Sequence, residues 1–403
     1  MPLTEKQAAY LQNCRHRWNL KVGAVRSGKS FLDYAVVIPK RIMVCRGEGS
    51  ILLMGNTQGT FVRNILEPMR DIWGEELVSG IHADNSVNLF GKKAYILGAD
   101  NKKHVARIQG MTVEYAYGDE MTTWNEDVFQ MLKSRLSCEH SRFDGTMNPD
   151  NPHHFMKRFL DSDADIYQQS YLLEDNPYLS PVYVENLKKE YTGTVFYDRY
   201  ILGQWTTAEG LIYDMFNRKR YVRELDRAAI LSSADQIAVS CDYGTQNATC
   251  FLLWARIGTT HYLVDEYYYS GRAEMRQKTD AEYADDYEAL IDGLDVPFGV
   301  IDPSAASFIA ELKRRGHKVR KANNNVLDGI RQTARMFSRG EIIIDAGCVN
   351  TIRELENYRW DPAAAARGED RPVKVDDHAA DALRYYVMTA VRTGGIQVMK
   401  YGN

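Results

Sequence analysis

Short apolar runs alternate with amphipathic segments through the first 172 residues of the chain. The runs 18–22 (WNLKV), 50–55 (SILLMG) and 93–97 (KAYIL) are bounded by polar residues and have the length of buried strands. The segments between them, such as 60–73 (TFVRNILEPMRDIW), carry apolar residues at helical spacing, here with a proline that predicts a kink. This alternation predicts a mostly parallel sheet with helices on its faces.

The pattern restarts near residue 236 with three strands in succession. We predict them at 236–241 (QIAVSC), 248–257 (ATCFLLWARI) and 261–269 (HYLVDEYYY), with short turns between them. A helix at 273–291 follows, and strands and helices then alternate up to two final helices. Hairpin strands followed by crossovers predict a ribonuclease H-like mixed sheet flanked by helices.

A segment of irregular pattern separates the two halves. It contains turn-forming Asn-Pro and Ser-Pro pairs and a charged helix at 182–191, but no clear periodicity. At 403 residues the chain also exceeds what one hydrophobic core supports. We therefore predict an α/β protein made of a first domain at 1–172, a connecting segment at 173–235, a second domain at 236–395 and a C-terminal tail at 396–403.

The composition is that of a globular protein, with 44% apolar and 26% charged residues. No apolar run approaches the roughly 18 residues that a membrane span needs, and the N-terminal residues lack the apolar core of a signal peptide. We therefore expect no membrane association and a cytoplasmic location. The six cysteines have no C-x-x-C spacing, which argues against a zinc site or a disulfide framework.

The net charge of −4 gives no overall indication of nucleic-acid binding. Contacts to DNA would have to come from local basic groups such as 218–220 (RKR) and 313–315 (KRR). Such short runs are more often solvated faces than binding sites.

The clearest motif of the chain is the stretch 22–30 (VGAVRSGKS). Its residues Gly23, Gly28, Lys29 and Ser30 fit the pattern G-x-x-x-x-G-K-[ST]. Such a loop surrounds nucleotide phosphates with backbone N–H groups, offers them a lysine, and offers a hydroxyl to Mg²⁺. The alternative interpretation is a glycine-rich turn with an exposed lysine.

The surroundings of the loop favour nucleotide binding, because the motif requires a strand before it and a helix after it. The run 18–22 can form that strand, and 30–38 (SFLDYAVVI) can begin that helix. Pro39 should end or kink the helix, since proline lacks the N–H group and clashes with the preceding turn.

A second nucleotide-related pattern is the apolar run 112–117 (TVEYAY), which leads into Asp119 and Glu120. In a parallel sheet the end of this strand lies beside the phosphate loop. Asp119 would then hold Mg²⁺ through water, and Glu120 would orient and deprotonate the attacking water. An acidic pair at a strand end can also be an ordinary helix cap or turn.

The next predicted strand, 142–147 (RFDGTM), places two polar residues at its tip. Thr146 and Asn148 could contact the γ-phosphate or its water and report hydrolysis to the rest of the protein. An ordinary Asn-Pro turn explains the pattern equally well.

Four acids stand at corresponding places in the second half. Asp242 and Asp302 each end a predicted strand, whereas Asp377 and Asp381 are spaced to share one helix face, with His378 close by. Together they could hold two Mg²⁺ or Mn²⁺ ions, the arrangement that cleaves phosphodiesters. Each acid taken singly could instead be a helix cap or a turn residue.

The order of these motifs is similar to that of the large terminase subunits of tailed bacteriophages and prophages. GAVRSGKS, VEYAYGDE, GTMNP, CDYG, VIDPS and DDHAADALRY follow one another over most of the chain, from about Thr4 to Val391. The resemblance implies a P-loop ATPase domain followed by a ribonuclease H-like nuclease domain. This combination is uncommon, although each half alone is not.

The resemblance also implies roles for residues of the first half. Arg26 would be an arginine finger acting in cis, although the family more often has glycine and arginine where this chain has Ala24 and Val25. A neighbouring subunit could supply the finger instead. The expected nucleotide-binding residues are Gln7, Gly23, Arg26, Ser27, Gly28, Lys29, Ser30, Asp119, Thr146 and Asn148. Within this set Gln7 would contact adenine, and Thr146 and Asn148 would match the coupling motif.

For chemistry, the resemblance implies two sets of residues. The expected catalytic residues are Arg26, Glu120, Asp242, Asp302, His378 and Asp381. The expected metal ligands are Ser30 and Asp119 in the ATPase, and Asp242, Asp302, Asp377 and Asp381 in the nuclease.

The family resemblance implies a motor that uses ATP and Mg²⁺ to move double-stranded DNA into a procapsid and cuts concatemeric DNA. Its partners would be DNA, the portal protein, the small terminase subunit and further copies in a ring, with a monomer plausible in isolation. It would work in the host cytoplasm and transiently at the portal vertex, which it would contact through the nuclease domain or residues 394–403. A helicase or repair ATPase, a recombinase or transposase sharing only the second half, and a non-catalytic DNA-binding scaffold with a degenerate loop remain alternatives.

Overall fold

The computed structural model describes residues 2–244 and 247–391, and the chain divides into two compact units. The first unit contains the chain up to Lys188 with Val195–Thr207 and Ala366–Glu369. The second contains Lys189–Thr194, Ala208–Ala365 and the chain from Asp370 onward. The predicted connecting segment 173–235 is thus shared between the units. The predicted tail 396–403 and docking segment 394–403 lie outside the described residues.

The first unit is built on a seven-stranded sheet. In chain order its strands are β1 (Trp18–Gly23), β2 (Ser50–Gly55), β3 (Ser86–Leu89), β4 (Lys92–Gly98), β5 (Val113–Gly118), β6 (Arg142–Met147) and β7 (Ile166–Tyr171). They lie side by side in the order β3-β4-β2-β5-β6-β1-β7, and every neighbouring pair is parallel except β3 with β4. This confirms the predicted mostly parallel sheet.

Both faces of this sheet are covered by apolar packing. Successive side chains of a strand point to opposite faces. In β2, Leu52 and Met54 join a core that contains Trp18, whereas Ile51 and Leu53 join a second core. A continuous apolar run therefore marks a strand that is buried on both sides.

The helices of the first unit fill these two faces. Their bounds are Glu5–Asn13, Lys29–Leu32, Ile38–Val44, Gln58–Phe61, Glu67–Trp73, Val105–Ile108, Glu126–Arg135, Phe155–Leu160 and Val195–Tyr200, with 3₁₀ turns at Lys102–His104, Met121–Thr123 and Leu173–Asp175. Helix Pro181–Tyr191 runs from the first unit into the second along the chain.

Two of these helices continue past a proline by means of a π turn. The helix that begins at Lys29 contains the π turn Asp33–Val37 and runs on through Pro39 to Val44, so it does not end at Pro39. A second π turn, Val62–Leu66, precedes the proline of Glu67–Trp73 in the same way. The wider turn accommodates one extra residue and changes the backbone bonding just before a residue that has no N–H to donate.

The second unit also has a seven-stranded sheet, but a mixed one. Its strands are β8 (Val222–Arg223), β9 (Gln236–Asp242), β10 (Ala248–Ile257), β11 (Thr260–Ser270), β12 (Gly299–Ile301), β13 (Val319–Lys321) and β14 (Ile342–Asp345). Their order is β13-β12-β9-β10-β11-β14-β8. The pairs β9/β10 and β10/β11 are antiparallel and the others parallel, which confirms the predicted mixed sheet.

The helices of the second unit pack on this sheet. They are Arg218–Tyr221, Arg227–Ser232, Asp280–Leu290, Ala306–Arg314, Val326–Arg339, Val349–Asn357, Pro362–Ala365 and His378–Thr389. The helix predicted at 273–291 begins later, at Asp280, because Thr279 and Glu282 form a capping box that fixes its start. No helix in the described part of the chain is long and apolar enough to span a membrane.

Candidate functional site

The strand order of the first sheet gathers the first set of predicted site residues. Strand β6 lies between β5 and β1, and all three are parallel, so their carboxyl ends meet at one edge. The loop 22–30 follows β1, the acids follow β5, and Asn148 follows β6. The fold therefore places three separate sequence motifs beside one another.

The loop depends on two glycines for its path. Gly23 has φ +149°, and a Cβ built there would lie 1.9 Å from the carbonyl oxygen of Tyr171. Gly28 has φ +85° and stands at the N-terminus of the helix that begins at Lys29. Only glycine adopts these backbone angles without strain, so the loop geometry is set by the sequence itself.

The lysine of the motif points back into its own loop. Its Nζ atom lies 2.9 Å from the carbonyl oxygen of Gly23, 2.5 Å from that of Ala24 and 3.1 Å from Oδ1 of Asn148. The side chain of Lys29 is buried, with 7% of the residue exposed, so the alternative of an exposed lysine in a turn is wrong. Burial lowers the pKa of Lys29 to about 7, although Asp119 and Glu120 act in the opposite direction.

The two acids after β5 face this lysine from different environments. Asp119 is buried and accepts a hydrogen bond from Oγ1 of Thr146 at 2.8 Å. Burial raises the pKa of Asp119 to about 6, although the hydrogen bond from Thr146 opposes the shift. Glu120 is half-buried with φ +50°, and its N–H donates to Oγ1 of Thr146 at 3.4 Å. A strained backbone at Glu120 is the kind of feature that concentrates at functional sites.

The remaining predicted residues of the first site lie around the loop. Oγ of Ser27 donates to the Ala24 carbonyl at 2.8 Å, and Ser30 is half-buried in the first helical turn. Arg26 is exposed at φ +56° and has no carboxylate partner among the described residues. Gln7 is buried, caps its own helix, and donates from Nε2 to the Gly28 carbonyl at 3.1 Å.

The π turns bring further polar residues to this site that sequence patterns did not identify. Asn64, in the second π turn, lies close enough to Asp119 to act against the rise in the pKa of that carboxyl. Asp33, in the first, forms a fully buried ion pair with Lys21 at 2.7 Å. Tyr117 donates to the other carboxylate oxygen of Asp33 at 3.1 Å. The two prolines inside predicted helices were the available sequence signal for these π turns, because a proline interrupts helical hydrogen bonding. π turns in turn are frequent at functional sites.

The second set of predicted residues lies at one end of the mixed sheet. Asp242 is the last residue of β9, and Asp302 follows β12, which is the parallel neighbour of β9. The N–H of Asp302 bonds to the carbonyl of Cys241 at 3.2 Å, so the two acids stand side by side. Helix His378–Thr389 packs on this part of the sheet and carries Asp381.

Basic side chains engage the acids of this helix. Nζ of Lys374 lies 2.8 Å from Asp377 and 2.9 Å from Asp381, which shows that the two acids point together, as their i, i+4 spacing predicts. The buried guanidinium of Arg384 donates to the second oxygen of Asp381 at 2.9 Å. The positive charges of Lys374 and Arg384 therefore compensate the negative charges of Asp377 and Asp381.

The two strand-end acids have different partners. Nδ1 of His378 lies 2.9 Å from Oδ2 of Asp242. Tyr385 donates to Asp302 at 3.2 Å. Burial would lower the pKa of His378, but the hydrogen bond and charge of Asp242 outweigh it and raise the pKa.

The electrostatics of the acids fit cation binding. The pKa of Asp242 is raised, first by burial and then by the like charges of Asp381 and Asp302, so the cluster favours added positive charge. Carboxylate oxygens are the ligands that Mg²⁺ and Mn²⁺ prefer. In the described ranges 2–244 and 247–391, however, no three acids, histidines or cysteines already stand in the arrangement of a metal cage. The carboxylates fit the predicted Mg²⁺ or Mn²⁺ ions. Lys374 and Arg384, which now contact these carboxylates, would have to move when the ions bind.

Two further carboxylates, Glu354 and Glu266, support the helices around this site. Glu354 is buried and accepts bonds from the N–H groups of Ala379 at 2.6 Å and Ala380 at 3.1 Å, at the start of the helix that carries Asp381. Glu266 caps the helix Val349–Asn357, which carries Glu354, in the same way.

Three arginines of the basic runs noted in the sequence are paired with carboxylates. Arg314 and Arg315 both bond to Glu311, and Arg315 also contacts Asp285 and Glu288. Arg218 pairs with Glu356 in the other run. The interpretation of 313–315 as a solvated face agrees with the exposure of Lys313 and Arg314, and the ion pairs are an additional finding.

Comparison with known proteins shows similarity over most of the chain. A family profile described as "Terminase large subunit, T4likevirus-type, N-terminal" matches residues 24–220. The chain is 28% identical over 229 residues to the protein named "Terminase, large subunit" of Escherichia phage T5, an alignment that covers 54% of this chain and 50% of that protein. The match thus spans about half of that relative's length.

Solved structures give a more complete match. The large terminase of a thermophilic bacteriophage is 34% identical, covers 96% of this chain and 98% of its own, and superposes with a TM-score of 0.88. The same phage protein in complex with ADP covers 96% and 99% at a TM-score of 0.88, and its complex with ATP-gamma-S covers 96% and 98% at 0.86, each with 34% identity.

Proposed function

The chain belongs to the phage large terminase family, and on that premise we propose that it is the ATP-hydrolysing and DNA-cutting subunit of a DNA-packaging motor. The observation that carries the ATPase half is the meeting of Lys29, Asp119 and Glu120 at one sheet edge. A family relative that binds ADP and ATP-gamma-S supports the same half.

At the first site, each residue has a proposed part in ATP hydrolysis. Lys29 leaves the carbonyls of its own loop to contact the phosphates, Ser30 and Asp119 hold Mg²⁺, and Glu120 accepts a proton from the attacking water. Thr146 bonds to both acidic positions and Asn148 to the lysine, so these two are suited to detect a change in the phosphates. Gln7 contacts adenine in this proposal.

Arg26 is the proposed arginine finger. It is exposed and has no carboxylate partner in the described part of the chain, so it is free to serve its own nucleotide or one bound by a neighbour. Mixing Arg26→Ala with Glu120→Gln protein separates the two cases, because rescue of ATP turnover occurs only if the arginine acts in trans.

At the second site, Asp242, Asp302 and Asp381, with Asp377, would hold two Mg²⁺ or Mn²⁺ ions. Such ions, when bound, activate water and stabilise the leaving oxygen of a phosphodiester. His378 orients Asp242 through their hydrogen bond, and Tyr385 orients Asp302. A helicase would not need this cluster of four acids.

The partners follow from the same family membership. We propose that the protein moves and cuts concatemeric double-stranded DNA with the small terminase subunit, assembles as a ring on the portal protein, and works in the host cytoplasm and at the procapsid. The chemistry of the two sites needs only this chain, so it is the first thing to test.

The test is a separation of the two activities. Asp242→Ala should abolish nicking of plasmid in Mn²⁺ and leave ATP turnover intact, whereas Glu120→Gln should bind ATP, hardly hydrolyse it and still nick. Asp285→Ala and Glu126→Gln serve as matched controls, because both carboxylates are exposed and lie outside the two sites. Loss of both activities from either variant, or of neither, would count against the assignment.

A further inference from the structure

A third candidate site, which is lined by cationic side chains, lies in the second unit at the end of its sheet opposite the acids. It is a cavity of about 520 Å³ lined by Arg256, Arg320, Arg335 and Arg339, among other residues. Gln236, the first residue of β9, also lines it, whereas Asp242 ends that strand.

The same holds for the neighbouring strand. Phe298, just before β12, lines the cavity, and Asp302, just after it, belongs to the acid cluster. A seven-residue strand is about 20 Å long. The cavity is therefore distinct from the proposed nuclease site.

Two of the four arginines are neutralised within the protein. Nε of Arg335 lies 3.1 Å from Glu190, and Arg339 pairs with the same carboxylate. Glu341, which also lines the cavity, lies 3.5 Å from Arg339. Carboxylates therefore balance this side of the cavity.

The other two arginines leave an excess of positive charge. Neither Arg256 nor Arg320 has a carboxylate partner among the residues that the structure describes, and Nε of Arg256 is buried without a hydrogen-bond partner there. A buried donor without a partner is costly, and an incoming acceptor would satisfy it. The guanidinium of Arg320 lies 3.5 Å over the ring of Phe298, which holds its plane and leaves its N–H edge available.

The size and chemistry of the cavity limit what it can bind. Guanidinium groups bind phosphate through two parallel hydrogen bonds, and cavities of a few hundred Å³ suit ligands of nucleotide size. His261 at the cavity wall is neutral at pH 7, because burial and the charge of Arg256 lower its pKa to about 4. The positive charge is thus concentrated on the arginines.

We propose that this cavity binds a phosphate-bearing ligand, either a phosphodiester segment of DNA or the phosphate chain of a free nucleotide, through Arg256 and Arg320. The site would be additional to the nucleotide loop and to the acid cluster. The DNA alternative rests on the proposed function, whereas the nucleotide alternative does not.

The test compares Arg256→Gln/Arg320→Gln with Arg314→Gln, whose arginine is exposed and paired with Glu311. For DNA, binding of a fluorescent duplex is measured by anisotropy in EDTA over a series of salt concentrations. If DNA is the ligand, the double variant binds about tenfold more weakly at low salt, and the salt dependence falls by about two units of slope.

For a free nucleotide, ADP and tripolyphosphate are titrated calorimetrically into protein that carries Lys29→Ala to silence the first site. Binding that remains in this background and disappears with the two arginine changes supports the nucleotide alternative. If DNA, ADP and tripolyphosphate all bind the double variant as they bind Arg314→Gln, the proposal is overturned.

A second variant guards against misfolding. Arg256→Lys/Arg320→Lys keeps the charges but loses the paired N–H geometry, so we expect intermediate affinity at an unchanged melting temperature. The separation of activities described above stays independent. A protein that neither hydrolyses ATP nor nicks DNA but still shows arginine-dependent phosphate binding would refute the proposed function and leave this site standing.

Discussion

Each of the two proposed catalytic sites contains positively charged side chains of the chain itself, but the groups that contact these side chains differ between the sites. In the first unit Lys29 is held by neutral groups, the carbonyls of Gly23 and Ala24 and the amide of Asn148. In the second, Lys374 and Arg384 are held by the carboxylates of the site.

The first site is therefore held together mainly by contacts to the backbone, and the second by ion pairs between acids and bases. The position of Lys29 in the first should be sensitive to any added atom, because the oxygens that accept its hydrogen bonds belong largely to fixed peptide groups. The second should be sensitive to changes of charge, because acids and bases compensate one another at close range. Substitutions in the two units should therefore fail in different ways.

The largest effect is expected for Gly23→Ala. The added methyl would lie 1.9 Å from the Tyr171 carbonyl oxygen at a φ of +149°, so the loop must move. A misplacement of about 1 Å costs roughly a hundredfold in rate, and we expect ATP turnover to fall by at least that factor while nicking continues. The measurement is steady-state phosphate release.

Gly59→Ala is the matched control, because the nearest atom to its new methyl is 4.0 Å away. Retained nicking by Gly23→Ala shows that the second unit remains folded. Wild-type ATP turnover in Gly23→Ala would remove the backbone geometry of the loop from its proposed role.

In the second unit we expect a smaller effect from Glu354→Gln. The carboxylate accepts from two N–H groups at the start of helix His378–Thr389, and its charge favours that helix end. Its loss should lower stability by about 1–2 kcal/mol and reduce nicking about tenfold, since the helix carries Asp381 and His378. ATP turnover should not change.

Thermal unfolding and the Mn²⁺ concentration for half-maximal nicking measure the two parts of this prediction. Glu356→Gln, two residues further along and paired with Arg218 at the surface, is the control. Equal behaviour of the two variants would mean that Glu354 does not position the acid-bearing helix.

The sequence predicts some residues of these sites and not others, and the reason is physical. The loop 22–30 is contiguous, and Asp119, Asn148, Asp242 and Asp302 follow apolar strands, so pattern and topology together locate them. Strand ends in a parallel arrangement meet at one edge whatever the intervening chain does. That is why the fold class and the grouping of the first site could be predicted.

The compensating residues could not be predicted, because no periodicity marks them. Lys374 lies in an irregular segment, and the arginines of the cavity come from positions between 256 and 339 that only the folded sheet brings together. The π turns also depend on tertiary packing around Pro39 and Pro68, and the sequence indicated only that the helices were interrupted there.

The loss of stability at low pH tests the buried histidine His261 in the second unit, which lies away from the acid cluster. Burial and the nearby Arg256 lower the pKa of His261 to about 4, and Nδ1 of His261 lies 2.8 Å from the hydroxyl oxygen of Tyr386. The folded state therefore prefers neutral histidine, so this stabilisation is complete above about pH 6.5 and is lost as the pH falls toward 4.

The expected loss is about 1.4 kcal/mol per pH unit within that window. Urea unfolding of the wild type and His261→Gln between pH 7 and pH 4 measures it, and only the wild type should carry this part of the slope. Identical slopes would show that folding does not change the pKa of His261.

The smallest and most discriminating effect concerns Lys374→Met. Its ammonium group contacts both Asp377 and Asp381, so it acts as an internal counterion where divalent ions are proposed to bind. Removing it leaves the acids with one more uncompensated charge, and we expect Mn²⁺ to bind several-fold more tightly while the metal-free protein becomes less stable.

Calorimetric titration of nucleotide-free protein with Mn²⁺ measures this change, with Asp242→Ala defining the heat that comes from other sites. Lys313→Met, an exposed lysine outside the acid cluster, controls for the general loss of a positive charge. Weaker Mn²⁺ binding would reverse the contrast, because Lys374 would then hold the acids in their binding arrangement instead of competing with the metal. Both sites would in that case rely on a lysine to fix geometry, and charge compensation would no longer distinguish them.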